Sequence, residues 1–263
     1  MKTKQISEPI LNVLARCTIT GNVLRLPEQL DRKVYVEVNE VLDAIGGAWD
    51  RKQKGHVFQS DPTADLDMAI STRSVVNHKQ LFQQFYTPLP LAARMVAWAG
   101  VVPGSLVLEP SAGSGNLVRM IWNAFSGADS GRIVALDIEP KRITDLEAVR
   151  SNLNADSTRI GILQCDFLAC NDGFGSFSHV VMNPPFAGGQ DIQHVYHSYK
   201  YLRPGGVLVS IVCEGPFFRQ DKRAKAFQDW LGLADADVET LPENSFAESG
   251  TSVRARMIKV VAR

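Results

Sequence analysis

The stretch VVMNPPFAGG, at 180–189, begins as an apolar run and stops on Asn183, Pro184, Pro185 and Phe186. Neither proline can donate to a β-ladder, so the chain must leave its sheet there. Asn183 precedes a proline and is pushed towards an extended backbone. The result is a stiff support that aims one carboxamide and one aromatic ring at a ligand. Three carboxylates stop other apolar runs in the same way. Glu109 lies in VLEPSAGSGNLV (107–118), Asp137 ends RIVALD (132–137), and Asp166 lies in CDF (165–167). Gly113 and Gly115, beside Ser111, let backbone approach a ligand ahead of a helix N-terminus with unpaired N–H groups. The dinucleotide pattern fails, because Val118 stands where a third glycine or alanine is needed. The GK[ST] of a phosphate loop is absent too, and Glu109 in the turn suits a cationic ligand. Asp137 follows Gly113 by 24 residues, the placement of a carboxylate that grips ribose hydroxyls. Each acid alone fits a helix cap or a solvated strand end. Four consecutive strands ending in such residues match the rule that ligands bind at the carboxyl ends of a parallel sheet.

The elements that must carry these residues can be read from periodicity. From about residue 101, short apolar runs alternate with amphipathic ones: strands at 105–110, 132–137, 160–166, 178–183 and 205–212, and helices at 116–125, 140–153, 191–202 and 224–231. VETL and SVRARMIKVVA read as closing strands. The alternation predicts an α/β, doubly wound, Rossmann-like parallel sheet. Residues 1–80 differ and read as a small α+β extension. There KVYVEV (33–38) alternates like a strand, NEVLDAIGG (39–47) is a short helix, and QSDPTAD (59–65) looks like a linker. The boundary falls near 72–80, giving units 1–80 and 81–263.

Composition bounds the function more loosely. With 28 Lys+Arg against 28 Asp+Glu the formal net charge is zero, so a nucleic-acid partner would depend on local patches. Candidates are RKQKGH (51–56) and RQDKRAK (219–225), each equally readable as a solvated face. The four cysteines have neither metal-ligand nor disulfide-scaffold spacing. With no signal-peptide pattern at the N-terminus and no membrane-length apolar run, they read as reduced thiols of a cytoplasmic protein. His194 and His197 lie three apart on a helix, but no further ligand completes a metal set, so they read as a surface feature.

Taken in order, QFYTP, LEPSAGSG, ALDIEP, CDF and MNPPF resemble S-adenosylmethionine-dependent class I methyltransferases, most closely the adenine-N6 DNA methyltransferases that carry NPPF. The resemblance spans roughly 81–263. It implies a seven-stranded sheet with an antiparallel last strand, S-adenosylmethionine as cofactor and S-adenosylhomocysteine as product. It also implies roles by position. Thr87 and Pro88 border the methionine end of the cofactor. Glu109, Ser111, Gly113 and Gly115 line that end and the ribose. Asp137 holds the ribose hydroxyls and Ile138 lies against the adenine. Asp166 accepts from the adenine amine and Phe167 covers the ring. Asn183, Pro184, Pro185 and Phe186 receive the substrate base beside the cofactor, with no metal.

The expected substrate is adenine in DNA. RNA bases, at guanine N2 or adenine N6, and a protein glutamine amide offer the same amine geometry. A cofactor-sensing DNA-binding module without catalysis is the non-enzymatic alternative, which the intact NPPF disfavours. Restriction-type relatives commonly carry a recognition region after the catalytic one. Here recognition is expected from 1–80, from loops at 187–191 and 217–225, or from a partner, which leaves room for a homodimer.

Overall fold

The computed structural model describes residues 4–58, 61–75, 86–126, 130–170, 175–186, 189–247 and 253–263. The larger unit is doubly wound, as its alternating runs predict. Strands β7 (Leu106–Glu109), β8 (Arg132–Asp137), β9 (Ile160–Gln164), β10 (Phe177–Met182), β11 (Leu202–Cys213), β12 (Asp237–Thr240) and β13 (Ala255–Val261) form one sheet. Their order is β12-β13-β11-β10-β7-β8-β9. Strands β7 to β11 run parallel, and β13 runs antiparallel to both β11 and β12. Helices α4 (Leu89–Ala99), α5 (Asn116–Ala124), α6 (Pro140–Asn152), α7 (Gln190–Tyr199), α8 (Gly215–Phe218) and α9 (Lys222–Leu233) cover the two faces. Pro140 opens α6, as expected of a residue whose missing N–H costs nothing in a first turn.

Central β10 carries the NPPF turn. Val180, Val181 and Met182 are fully buried, each worth roughly 1.5–3 kcal/mol of apolar burial. The support under Asn183 is therefore among the best-anchored backbone in the molecule.

The N-terminal unit is α+β, with three corrections in detail. Strands β2 (Thr18–Thr20), β3 (Val23–Arg25), β4 (Ala48–Asp50) and β5 (Gly55–Val57) make an antiparallel sheet of order β2-β3-β5-β4. Helices α1 (Glu8–Ala15), α2 (Arg32–Ala44) and α3 (Thr63–Thr72) pack around it. Two-residue strands β1 (Lys4–Gln5) and β6 (Ser74–Val75) pair with each other. Residues 33–38 are helix, not strand. The Asp31 carboxylate caps α2 by accepting from the Lys33 and Val34 N–H groups, at 2.9 and 3.1 Å. Val38, Val41, Leu42 and Ile45 then face the core while Val36 is exposed. The supposed linker is also helix: from Thr63 onward it forms α3, nearly every residue of which is buried. The third correction is that α3 belongs as much to the large unit as to the small one. It packs on α8 and on β11, and its Met68 joins the core of the large unit. The boundary expected at 72–80 falls largely on residues outside those described.

Candidate active site

The carboxyl ends of β7, β8, β9 and β10 open into one cavity of about 270 Å³. Of the residues singled out from sequence, Thr87, Ser111, Gly113, Asp137, Ile138, Asp166, Phe167, Asn183, Pro184, Pro185 and Phe186 line it. Pro88, Glu109 and Gly115 do not. Pro88 occupies the cap position of α4, and the Thr87 carbonyl accepts from Asn116 Nδ2 at 2.9 Å, which ties that segment to the start of α5.

The glycine turn divides its labour. Gly113 has φ +52°, where a Cβ would meet Tyr86 only at 3.8 Å and the Ser111 carbonyl oxygen at 3.9 Å, and its N–H donates to Asp137 Oδ2 at 2.9 Å. Gly115 has φ +79°, and a Cβ there would come within 3.0 Å of Val149 and 3.1 Å of Leu146 on α6. Its absence of a side chain lets the start of α5 pack closely on α6.

Asp137 is 6 % exposed. Besides Gly113, it accepts from the Glu139 N–H through Oδ1 at 3.0 Å. One carboxylate therefore pins both loops that face the cavity, and each oxygen keeps a lone pair for a hydroxyl donor. Asp166 stands exposed on the wall and accepts from the Leu168 N–H at 3.0 Å. Phe167 borders the cavity, but its ring is buried beside His194, His197 and Tyr201, with centroids 5.5, 4.8 and 5.7 Å away. Ile138, 59 % exposed, is the freer apolar surface.

Glu109 is fully buried at the end of β7, and its carboxylate oxygens have no hydrogen-bond partner among the described residues. Desolvation pushes its pKa well above the usual carboxylate range; the nearby Ser111 N–H opposes this and the Asp137 charge adds to it. No Lys or Arg lines the cavity among the described residues, whereas two carboxylates do. That balance repels phosphate and favours a ligand carrying positive charge.

Asn183 is half-buried, Pro184 and Phe186 are buried, and Pro185 is exposed. The far end of the turn is anchored by Asp191, which is buried and accepts from the Cys213 N–H at 3.0 Å. This ties the start of α7 to the end of β11. Met68, Tyr86, Ser114, Asn116, Cys165, Gln190 and His194 also line the cavity, beyond the residues that the sequence motifs single out. His194, expected on the surface, is buried here. Ser114 and Asn116 were legible as part of the glycine turn and Cys165 as the first residue of CDF; Met68 carries no sequence signal. The basic stretch 219–225 is only partly available to phosphates, because Arg219 is fully buried in an ion pair. No group of three or more metal-ligating side chains occurs among the described residues, and no described helix is long and apolar enough to cross a membrane. Residues 84–85 of QFYTP, 187–188 and 248–252 lie outside the described residues.

No protein-family model matches the chain. The type II methyltransferase M.AccI of Acinetobacter calcoaceticus is 28% identical over 136 residues, which is 51% of this chain and 23% of that relative. Among solved structures, the methyltransferase subunit of a type I restriction-modification system from Streptococcus thermophilus superposes with a TM-score of 0.60 at 20% identity, covering 67% of this chain and 44% of that one. A Listeria monocytogenes protein described as a class I S-adenosylmethionine-dependent methyltransferase gives 0.55 at 14% identity, over 76% and 67%. The 23S rRNA methyltransferase ErmE gives 0.50 at 17% identity, over 68% and 70%. The chain thus spans about a quarter of its curated relative and under half of the Streptococcus subunit.

Proposed function

We propose that this chain, which has the class I methyltransferase fold, uses S-adenosylmethionine to methylate the exocyclic N6 amine of adenine in DNA. The observation that carries the reading is the opening of the NPPF turn into the same cavity as the Gly113–Asp137 pair and Asp166. A cavity with two carboxylates and no lining cation among the described residues suits a cofactor with a sulfonium and an ammonium group. Bound there, S-adenosylmethionine supplies an electrophilic methyl group. Asp137 is assigned to accept from its ribose hydroxyls, Asp166 from its adenine amine, and Ile138 to cover the ring.

An exocyclic base amine is a poor nucleophile, because its lone pair is delocalised into the ring. The Asn183 carboxamide oxygen and the Pro184 carbonyl are assigned to accept its two N–H bonds and draw the nitrogen towards tetrahedral geometry. Asparagine does so without adding charge beside the sulfonium. The prolines hold both acceptors still, which is what proximity requires. An adenine must leave its stack to arrive there, and Phe186, largely buried in the core but lining the cavity, is assigned to border it.

DNA docking is assigned to the β4–β5 hairpin, where Arg51, Lys52 and Lys54 are exposed beside Trp49, itself 46 % exposed. The test is labelled methyl transfer to duplex DNA, RNA and a glutamine peptide in parallel, followed by nucleoside analysis. N6-methyldeoxyadenosine is the expected product. Label confined to RNA or peptide would overturn the substrate assignment. Absence of transfer to all three would overturn the catalytic one.

A further inference from the structure

His194 projects from α7 into the cavity, one helical turn beyond Gln190. Only 6 % of it is exposed. Its Nδ1 lies 2.7 Å from the Gln190 carbonyl oxygen. A carbonyl only accepts, so Nδ1 carries the hydrogen and Nε2 of the neutral ring is left with a lone pair. Burial, the leading influence on this imidazole, lowers its pKa and keeps the ring neutral near pH 7. Nε2 finds no partner among the described residues, yet it is not sealed away as a buried orphan. The ring stands 5.5 Å from that of Phe167, the residue after Asp166; the Asp166 charge acts on His194, and both line the cavity. The cavity therefore offers two acceptors of different charge, one carboxylate and one imidazole nitrogen, together with apolar surface from Ile138 and Leu168. A flat heterocycle bearing an amine with two hydrogens matches it. A keto group would face two lone pairs.

We propose that His194 Nε2 and the Asp166 carboxylate together accept the two amine hydrogens of the cofactor's adenine, so that His194 makes the cavity select an aminopurine. This rests on the reading of the cavity as an S-adenosylmethionine site. It adds a residue from the helix after the NPPF turn to the cofactor pocket, and so links cofactor recognition to the element that holds the substrate turn.

The test pairs a change in the protein with a change in the ligand. Calorimetry would measure binding of S-adenosylhomocysteine and of its analogue with the adenine amine replaced by hydrogen. Variants would be His194→Phe, which keeps a ring, and His194→Gln, which keeps an acceptor oxygen. The wild-type protein should prefer the amine-bearing ligand by tenfold or more. His194→Phe should lose about tenfold for that ligand and little for the analogue, a change in scale with one buried hydrogen bond. His194→Gln should keep part of the preference. If His194→Phe weakens both ligands equally, or neither, the assignment is wrong while the cofactor reading stands. The assignment is equally wrong if His194→Phe cannot be folded and His194→Gln shows no change in the ratio of the two affinities. If the wild-type protein binds neither ligand, the cofactor reading itself fails and the assignment with it.

Discussion

Replacing Asp137 with alanine should destabilise the protein even with nothing bound. The side chain accepts the Gly113 N–H at 2.9 Å and the Glu139 N–H at 3.0 Å. Hydrogen bonds to a charged group contribute about 1.5–3 kcal/mol each. Glu139 is exposed and water can replace its partner, so the low end applies and the pair is worth about 3 kcal/mol. For a chain of this length one kcal/mol moves the unfolding midpoint by roughly 2–4 °C, which gives a drop of about 6–12 °C. Asp137→Asn keeps one carbonyl oxygen but turns an amide NH2 towards the second N–H, so it should fall between alanine and wild type. Scanning calorimetry without cofactor reads the order directly, and titration with S-adenosylhomocysteine should show weakened binding in both variants. A carboxylate that only holds ligand would leave the ligand-free midpoint where it was. An unchanged midpoint in Asp137→Ala would therefore refute the argument that Asp137 pins the two loops.

Asn183→Ala should abolish methyl transfer while calorimetric cofactor affinity stays within a fewfold of wild type; near-normal turnover would remove Asn183 from the reaction. Glu109 has a folded-state pKa raised above its usual 4.5. Its effect on stability is therefore fully favourable below that value and is lost as pH rises towards the raised one, so Glu109→Gln should flatten the fall in unfolding midpoint between pH 5 and 8, and parallel curves would contradict this. Arg219→Met should cost about 3–5 kcal/mol in urea unfolding, because it strands the buried Asp67 carboxylate; a loss below 1 kcal/mol would show that the pair is dispensable. Alanine at Arg51, Lys52 and Lys54 should lower the logarithmic salt slope of DNA binding by about 0.9 for each phosphate no longer neutralised, and an unchanged slope in the folded variant would move docking elsewhere.

The part of the site built on strand ends was legible because a parallel sheet writes itself as alternating runs. Glu109, Asp137 and Asn183 sit where the runs of β7, β8 and β10 break, and of these Asp137 and Asn183 line the cavity. Residues 33–38 imitate a strand because Val34, Val36 and Val38 satisfy a period of two. The longer spacing through Val41, Leu42 and Ile45, together with the cap at Asp31, selects the helix. Helix α3 is hidden for the opposite reason. It is buried on nearly every side, so it shows no amphipathic period, and the Ser-Asp-Pro before it imitates a turn. A glycine-rich turn does not say which glycine lines the cavity, as Gly113 does, and which lies close to the neighbouring helix, as Gly115 does. His194 reads as a surface feature because its neighbour Phe167 comes from another strand end, which the helix alone does not reveal.

The burial of Arg219 changes what the N-terminal unit can be. Its guanidinium donates to Asp67 Oδ1 at 2.9 Å, to the Thr63 carbonyl at 2.9 Å and to Asp221 at 2.6 Å. The salt bridge closes 152 residues of chain, and burial pushes the Asp67 pKa up to about 7 despite the neighbouring cation. Removing one member would leave an uncompensated charge where water does not reach. On the other side, a Cβ at Gly215 would come within 2.7 Å of Asp67, so α3 lies directly against the segment that follows β11. The next residue of α3, Met68, is part of the cavity wall. A detachable docking module would contribute neither a wall residue nor a buried ion pair to its neighbour. Arg219 therefore ties α3 to the unit that holds the cavity, while Leu66, Ala69 and Ile70 on the same helix share a core with Leu24 and Phe58 of the N-terminal unit.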